Sequence, residues 1–110
     1  MFTNFEELHK HYGFDNDNKS RTDLTIEEEK RFVQDCFDTY EHIGFCETFD
    51  TPYSDHKTRI GQEFKVLERL DENTVDLEVL PMWRIQFEDG ETIGAYPEEI
   101  CLTERNNNNY

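Results

Sequence analysis

Apolar residues recur at helical spacing in the first part of the chain. The clearest stripe lies between Thr25 and Ile43, where apolar side chains return every three or four residues. Its members are Ile26, Val33, Cys36, Phe37, Tyr40 and Ile43. Thr25 followed by Glu28 has the spacing of a capping box, and Gly44 suits a helix end. The pattern predicts a helix over 25–43.

A shorter stripe near the start predicts a first helix. Asn4 and Glu7 have the same capping-box spacing, and Gly13 is placed to end the segment. The apolar face consists of Phe5, Leu8 and Tyr12. A helix of about two turns is marginal on its own, so this one needs packing against the rest of the chain. Residues 14–24 are polar and rich in Asn and Asp, which is typical of a connector.

The pattern changes to alternation in the second part, between Gly61 and Leu102. This stretch reads as five short strands with turn residues in each gap. The alternating apolar residues are Val75, Leu77 and Val79 in one strand and Trp83, Ile85 and Phe87 in the next. Asp89-Gly90 predicts a tight hairpin, and Cys101-Leu102 a final short strand. We expect the Trp83–Ile85–Phe87 side to be hidden from water.

These elements predict an α+β fold, with two N-terminal helices packed on a small, strongly bent antiparallel β-sheet or five-stranded barrel. The length suits one domain over 1–102. Its parts are a helical half at about 4–44, a connector at 45–60 and a β half at 61–102. Phe45, Phe49 and Tyr53 are too apolar for a floating linker, so we expect them to lie across the gap between helix and sheet. The Asn-rich tail, 103–110, is expected to be disordered.

The β half resembles a known class of small domain. A glycine-led strand, a loop, a meander containing FEDG (Phe87–Gly90) and the turn YPEEI (Tyr96–Ile100) resemble five-stranded barrels of the Src-homology and Tudor type. That resemblance implies binding of peptides, modified side chains or nucleic acid. It also implies that an aromatic cage for methylated cations would use Tyr53, Tyr96 and Phe64, although core packing is the commoner use of such rings. The whole chain also resembles uncharacterised accessory proteins of bacterial phages and conjugative elements, which implies a host-interaction role.

Charge narrows the range of partners. The chain has 26 acidic and 11 basic residues and a net charge of −15. Such a field repels phosphate backbones and anionic membranes, so we expect no direct nucleic-acid binding and no membrane association. The expected partner is another protein with a basic surface. The N-terminal segment lacks the pattern of a signal peptide, and the three cysteines lack framework spacing, which together predict a cytoplasmic protein with reduced thiols.

No motif predicts catalysis, a metal site or a cofactor. Asp15–Ser20 opens like a calcium loop but lacks the later ligands. His42 and Cys46 form one loose pair, whereas zinc needs two. Ser54–His56 contains the residue types of a catalytic triad, but adjacent residues rarely reach one another. An enzyme or metal protein built on these residues ranks last among the hypotheses.

The favoured hypothesis is therefore a non-catalytic, acidic protein-binding or regulatory module. Its predicted contact surface is the outer face of the meander: Met82, Arg84, Gln86, Glu88 and Tyr96. The alternative is a nucleic-acid-mimicking inhibitor of a host nuclease or defence enzyme, of the anti-restriction or anti-CRISPR type. Its row of charges would lie on the acidic face of the second helix: Glu27, Glu28, Asp35, Asp38 and Glu41. An ordinary solvated surface explains either set equally well.

Overall fold

The structure, a computed structural model, describes residues 2–14 and 19–102. Two helices come first in the chain, and three strands and a short helix follow. The helices are α1 (Phe5–Tyr12), α2 (Ile26–Ile43) and α3 (Pro97–Ile100), and the strands are β1 (Phe64–Arg69), β2 (Trp83–Phe87) and β3 (Thr92–Ala95). The α+β class is confirmed. The predicted tail at 103–110 and residues 15–18 of the calcium-like segment lie outside the described residues. None of the helices within the described ranges has the length and apolar character that crossing a bilayer requires.

Both predicted helix starts are confirmed by their caps. The Asn4 side chain accepts a hydrogen bond from the Glu7 backbone N–H at 2.9 Å. At α2, Thr25 and Glu28 exchange both bonds of the capping box, at 3.0 and 3.1 Å. The predicted apolar stripe is wrong at one end, because Ile26 is 67% exposed and the buried face begins at Phe32.

The sheet is antiparallel in the order β1-β2-β3. The hairpin between β2 and β3 turns at Gly90, whose φ of 94° lies in the left-handed region. The predicted hairpin at Asp89-Gly90 is confirmed, but its turn is longer than two residues, because the Phe87 N–H donates to the Glu91 oxygen at 2.9 Å. Trp83 and Ile85 are completely buried and Phe87 nearly so, which confirms the hidden side of β2.

Two of the five predicted strands are absent from the part of the chain that the structure describes. The alternating segment forms a 3₁₀ turn at Leu77–Val79. Arg21 donates to the backbone oxygens of Leu77 and Leu80, each at 2.7 Å, and so holds this turn at both of its ends. The last predicted strand is reduced to an isolated bridge between Phe45 and Cys101. The sheet in these residues therefore has three strands and is open.

The core lies between α2, the connector and the inner face of the sheet. The Trp83 ring makes edge contacts with Phe37, Tyr40 and Phe45, at centroid distances of 5.1, 5.9 and 5.4 Å. Phe49 is completely buried and packs against another strand residue, Phe87, at 5.4 Å. Phe45 and Phe49 therefore contact the sheet, and their contact with the helices stays a prediction. The same prediction is wrong for Tyr53, which is 43% exposed.

The connector is held on both sides by backbone hydrogen bonds. Cys46 N–H donates to Ile100 O at 2.7 Å, and Phe49 N–H donates to Gln62 O at 2.8 Å. Gly44 O accepts from the N–H of Leu102 at 3.1 Å. These bonds fix the path of residues 44–49 and thereby place the following residues, 50–56, beside the start of α3.

Candidate binding cleft

A cleft of about 550 Å³ opens between residues 53–56 of the connector and the outer face of the sheet. Its lining residues are Tyr53, Ser54, Asp55, His56, Met82, Gly94, Tyr96 and Glu99. This volume lies within the range of small-ligand sites in proteins. We call it the Tyr53–Tyr96 cleft, and it is large enough to accept one long side chain from a partner.

Two tyrosine rings converge at the cleft. Their centroids are 5.8 Å apart and their planes meet at 61°. Tyr53 is 43% exposed and donates its hydroxyl hydrogen bond to Glu98 Oε2 at 2.5 Å. That bond is the main cause that raises the pKa of Tyr53 to about 12, so the phenol is neutral at pH 7. The arrangement presents electron-rich ring faces, which attract cations.

A buried carboxylate lies beside the rings. Glu99 is 3% exposed; its Oε2 accepts from Thr51 Oγ1 at 2.6 Å and its Oε1 accepts from the Tyr96 N–H at 2.9 Å. No lysine, arginine or histidine forms an ion pair with Glu99 within the residues that the structure describes. A buried charge that lacks a counter-charge is costly, so the cleft favours an incoming cation. Asp55 adds an exposed carboxylate to the same lining.

The floor of the cleft depends on a glycine. A Cβ atom on Gly94 would lie 3.2 Å from both Leu70 Cδ1 and Met82 Cε, so these two side chains occupy the space that glycine leaves. Met82 is consequently only 8% exposed. The expectation that Met82 is an exposed member of the outer face is wrong, although the residue does line the cleft.

The structure separates the predicted contact surface into two parts. Met82 and Tyr96 meet in the cleft. Arg84 forms an ion pair with Glu68 at 2.9 Å, and Gln86 donates to Gly90 O at 3.2 Å, both outside the lining.

Glu88 is exposed beside the hairpin and also lies outside the lining. The sequence predicts Tyr53 and Tyr96 as potential cage rings, whereas Phe64, the third predicted ring, is not among the lining residues. It indicates Asp55 only as part of the triad-like segment Ser54–His56, and it gives no signal for Gly94 or Glu99.

The acidic face of α2 is largely engaged inside the molecule. Arg69 Nε donates to Glu41 and Arg69 Nη2 to Asp38, both at 2.8 Å. Glu41 also accepts from the Trp83 indole N–H at 2.9 Å. The hydrogen bond from Arg69 is the main reason that the pKa of Glu41 is lowered. These two carboxylates stabilise the contact between α2 and the sheet.

Two more carboxylates of the predicted row have internal donors. Glu28 caps its own helix through Thr25, and Asp35 accepts from the Tyr12 hydroxyl at 2.5 Å. Burial and that hydrogen bond raise the pKa of Tyr12. Glu27 is exposed in the first turn. Only part of the row is therefore available to an outside partner.

The metal hypothesis gains no support from the geometry. Within residues 2–14 and 19–102, no three His, Cys, Asp or Glu side chains lie close enough together to hold a metal ion. Cys36 is buried on the inner face of α2, and desolvation raises the pKa of its thiol to about 12. This thiol is a packing residue.

Comparison with known proteins adds no relative. No model of a protein family, no curated protein and no solved structure matches the chain.

Proposed function

We propose that this chain is a non-catalytic, acidic protein-binding module that holds a cationic side chain of its partner in the Tyr53–Tyr96 cleft. One observation carries the proposal: the buried Glu99 carboxylate has hydrogen bonds but no ion pair within the described residues, and it lies beside two converging tyrosine rings. Both features favour the same kind of ligand, because ring faces and a desolvated carboxylate each attract positive charge.

The net charge of −15 supports the same proposal at longer range. A field of this sign raises the encounter rate with a basic partner, while the cleft supplies the specific contact. A cation over a tyrosine ring contributes about 0.5–2 kcal/mol, which is too little for a stable complex alone. We therefore propose that Arg84, Gln86 and Glu88, which lie outside the lining, make additional contacts with the partner.

We also propose that the β half is a variant of the five-stranded barrel of the Src-homology and Tudor type. The isolated bridges Phe45↔Cys101 and Thr48↔Glu63 support this proposal, because they pair the connector with both ends of the β half. A cytoplasmic location belongs to the same proposal, and the unpaired thiols of Cys36 and Cys46 are consistent with it.

The hypothesis of a nucleic-acid mimic stays a prediction. Mimicry needs carboxylates that are free to replace phosphates along a basic channel. Asp38 and Glu41 instead hold Arg69, and Asp35 holds a tyrosine hydroxyl. The geometry consequently favours the cleft over the helix face as the contact site.

Affinity capture from the native host, followed by mass spectrometry, tests the proposed function. The wild type is compared with Tyr96→Leu, which removes a cleft ring, and with Glu78→Gln, a change at an exposed position outside the cleft. Partners that bind at the cleft should be lost with Tyr96→Leu and retained with Glu78→Gln. Trp83 fluorescence checks that each variant is folded. An unchanged set of captured proteins with folded Tyr96→Leu would refute the cleft as the contact site.

A further inference from the structure

Arginine side chains lie over aromatic rings at three places in the described residues. The guanidinium carbon to ring centroid distances are 5.5 Å for Arg21 over Phe32, 4.7 Å for Arg59 over Phe87 and 5.0 Å for Arg69 over Phe37. No lysine takes part in such a contact in these residues. In these three contacts of the described residues, the cation over the ring is an arginine.

Each of these arginines also donates to at least one carboxylate. The shortest distances are 2.9 Å from Arg21 to Glu29, 2.7 Å from Arg59 to Glu91 and 2.8 Å from Arg69 to Glu41. The flat face of a guanidinium is weakly hydrated and stacks on a ring, while its edge donates hydrogen bonds to carboxylate oxygens. Ring, guanidinium and carboxylate therefore form one recurring unit in this molecule.

The Tyr53–Tyr96 cleft contains two components of this unit and lacks the third. It supplies ring faces and the carboxylates of Asp55 and Glu99, and neither arginine nor lysine is among its lining residues. We propose that an arginine side chain of the partner protein fills this place, in preference to lysine. This inference rests on the proposed function and names the chemistry of its ligand.

The shape of the cleft accounts for the preference. Two rings inclined at 61° allow a planar group to stack on one face while its edge points past the other ring. The exposed Asp55 carboxylate lies on the same lining and can accept from that edge. A lysine ammonium is a compact, strongly hydrated charge that gains no stacking and loses more hydration on entry. The partner segment should be basic, because the protein has a net charge of −15.

Titration with short peptides, followed by NMR of the tyrosine ring protons, tests the inference. The probes are acetyl-Gly-Ser-Arg-Ser-Gly-amide and the same peptide with lysine or with citrulline, which keeps the planar shape of arginine but has no charge. The arginine peptide should shift the ring resonances of Tyr53 and Tyr96 with a Kd at least about fivefold below that of the lysine peptide. The citrulline peptide should show no saturable shift.

Variants that remove one carboxylate charge test whether the arginine peptide binds at the cleft. Asp55→Asn changes an exposed side chain, and Glu99→Gln keeps an acceptor for the Tyr96 N–H. Both should weaken binding of the arginine peptide several-fold, whereas the control Glu78→Gln should leave it unchanged. An equal loss in the control would mean that the peptide responds to net charge alone, which overturns the inference.

The outcomes separate this inference from the proposed function. Equal affinity for arginine and lysine, or no saturable shift by the arginine peptide up to about 10 mM, overturns the arginine assignment. The proposed function survives either result if partner capture still depends on Tyr96. If capture is also unchanged in Tyr96→Leu, the proposed function fails as well.

Discussion

Replacing Glu41 should show how much its hydrogen bonds between α2 and the sheet contribute to the free energy of unfolding. Its carboxylate accepts from Arg69 at 2.8 and 2.9 Å and from the Trp83 indole at 2.9 Å. Glu41→Gln removes the charge but leaves an oxygen that can accept from the indole. Glu41→Ala removes every acceptor and leaves the indole N–H of a completely buried tryptophan without a partner.

The expected loss in the free energy of unfolding follows from the solvent exposure of the Glu41 and Arg69 side chains. The Glu41 and Arg69 side chains are 34% and 35% exposed, so solvent screens their attraction to at most about 1 kcal/mol. We expect Glu41→Gln to lower the free energy of unfolding by about 1 kcal/mol. Glu41→Ala adds the unsatisfied indole N–H, and its total cost should reach about 2–3 kcal/mol. One kcal/mol corresponds to roughly 4 °C in Tm for a domain of this size.

Urea unfolding, monitored by tryptophan fluorescence, measures both free energies, because Trp83 is the only tryptophan in the chain.

The pKa of Glu41 is lower in the folded protein than in the unfolded chain, where a glutamate titrates at about 4.3. Its charge therefore stabilises the fold fully above about pH 5, and this contribution is lost as the pH falls through the lowered native pKa. The difference between wild type and Glu41→Gln should shrink over that acidic range.

Glu27→Ala is the matched control, since Glu27 is exposed on the same helix and should cost only a few tenths of a kcal/mol. The reasoning is refuted if Glu41→Ala is no less stable than Glu27→Ala at pH 7. It is also refuted if the difference between wild type and Glu41→Gln stays constant from pH 7 down to about pH 3.

Three further predictions concern other parts of the molecule. Arg21→Met should lower the free energy of unfolding by about 2 kcal/mol in urea titrations, because the carbonyls of Leu77 and Leu80 lose a charged donor; wild-type stability would contradict this. Cys36 should resist a thiol reagent at pH 8 until urea is added, since the thiolate is the reactive form and its pKa is about 12; rapid labelling of the native protein would show otherwise. Partner capture should weaken less than about tenfold between about 0.05 and 0.3 M NaCl, whereas a loss of about 10³-fold would favour a nucleic-acid mimic.

The helices and the hairpin could be predicted because their signals are local. Capping residues, a glycine at a turn and the alternation of a strand can each be recognised within a few consecutive positions. As predicted, Thr25 caps α2, Gly90 has a positive φ and Trp83 is buried. The alternation around Leu77 predicts a strand, but the segment is a 3₁₀ turn whose Leu77 carbonyl accepts from Arg21, a residue distant in sequence.

The cleft could be predicted only in part, for a similar reason. Tyr53 and Tyr96 were recognisable as rings outside the core, but their meeting depends on the path of the connector. That path is set by hydrogen bonds between positions far apart in the chain, such as Asp50 N–H to Glu99 O at 3.3 Å. Local patterns contain no information about such pairings. The burial of Met82 was missed likewise, since it depends on the glycine across the strand pair.

The bonds on both sides of residues 44–49 also determine how the chain must fold. Gly44 and Cys46 bond to Leu102 and Ile100, and Phe49 bonds to Gln62, so this segment completes its backbone pairing only when both ends of the β half are in place. Contacts between such distant positions raise contact order, and chains with high contact order fold slowly. Unfolding should accordingly occur as one cooperative transition, in which helices and sheet are lost together.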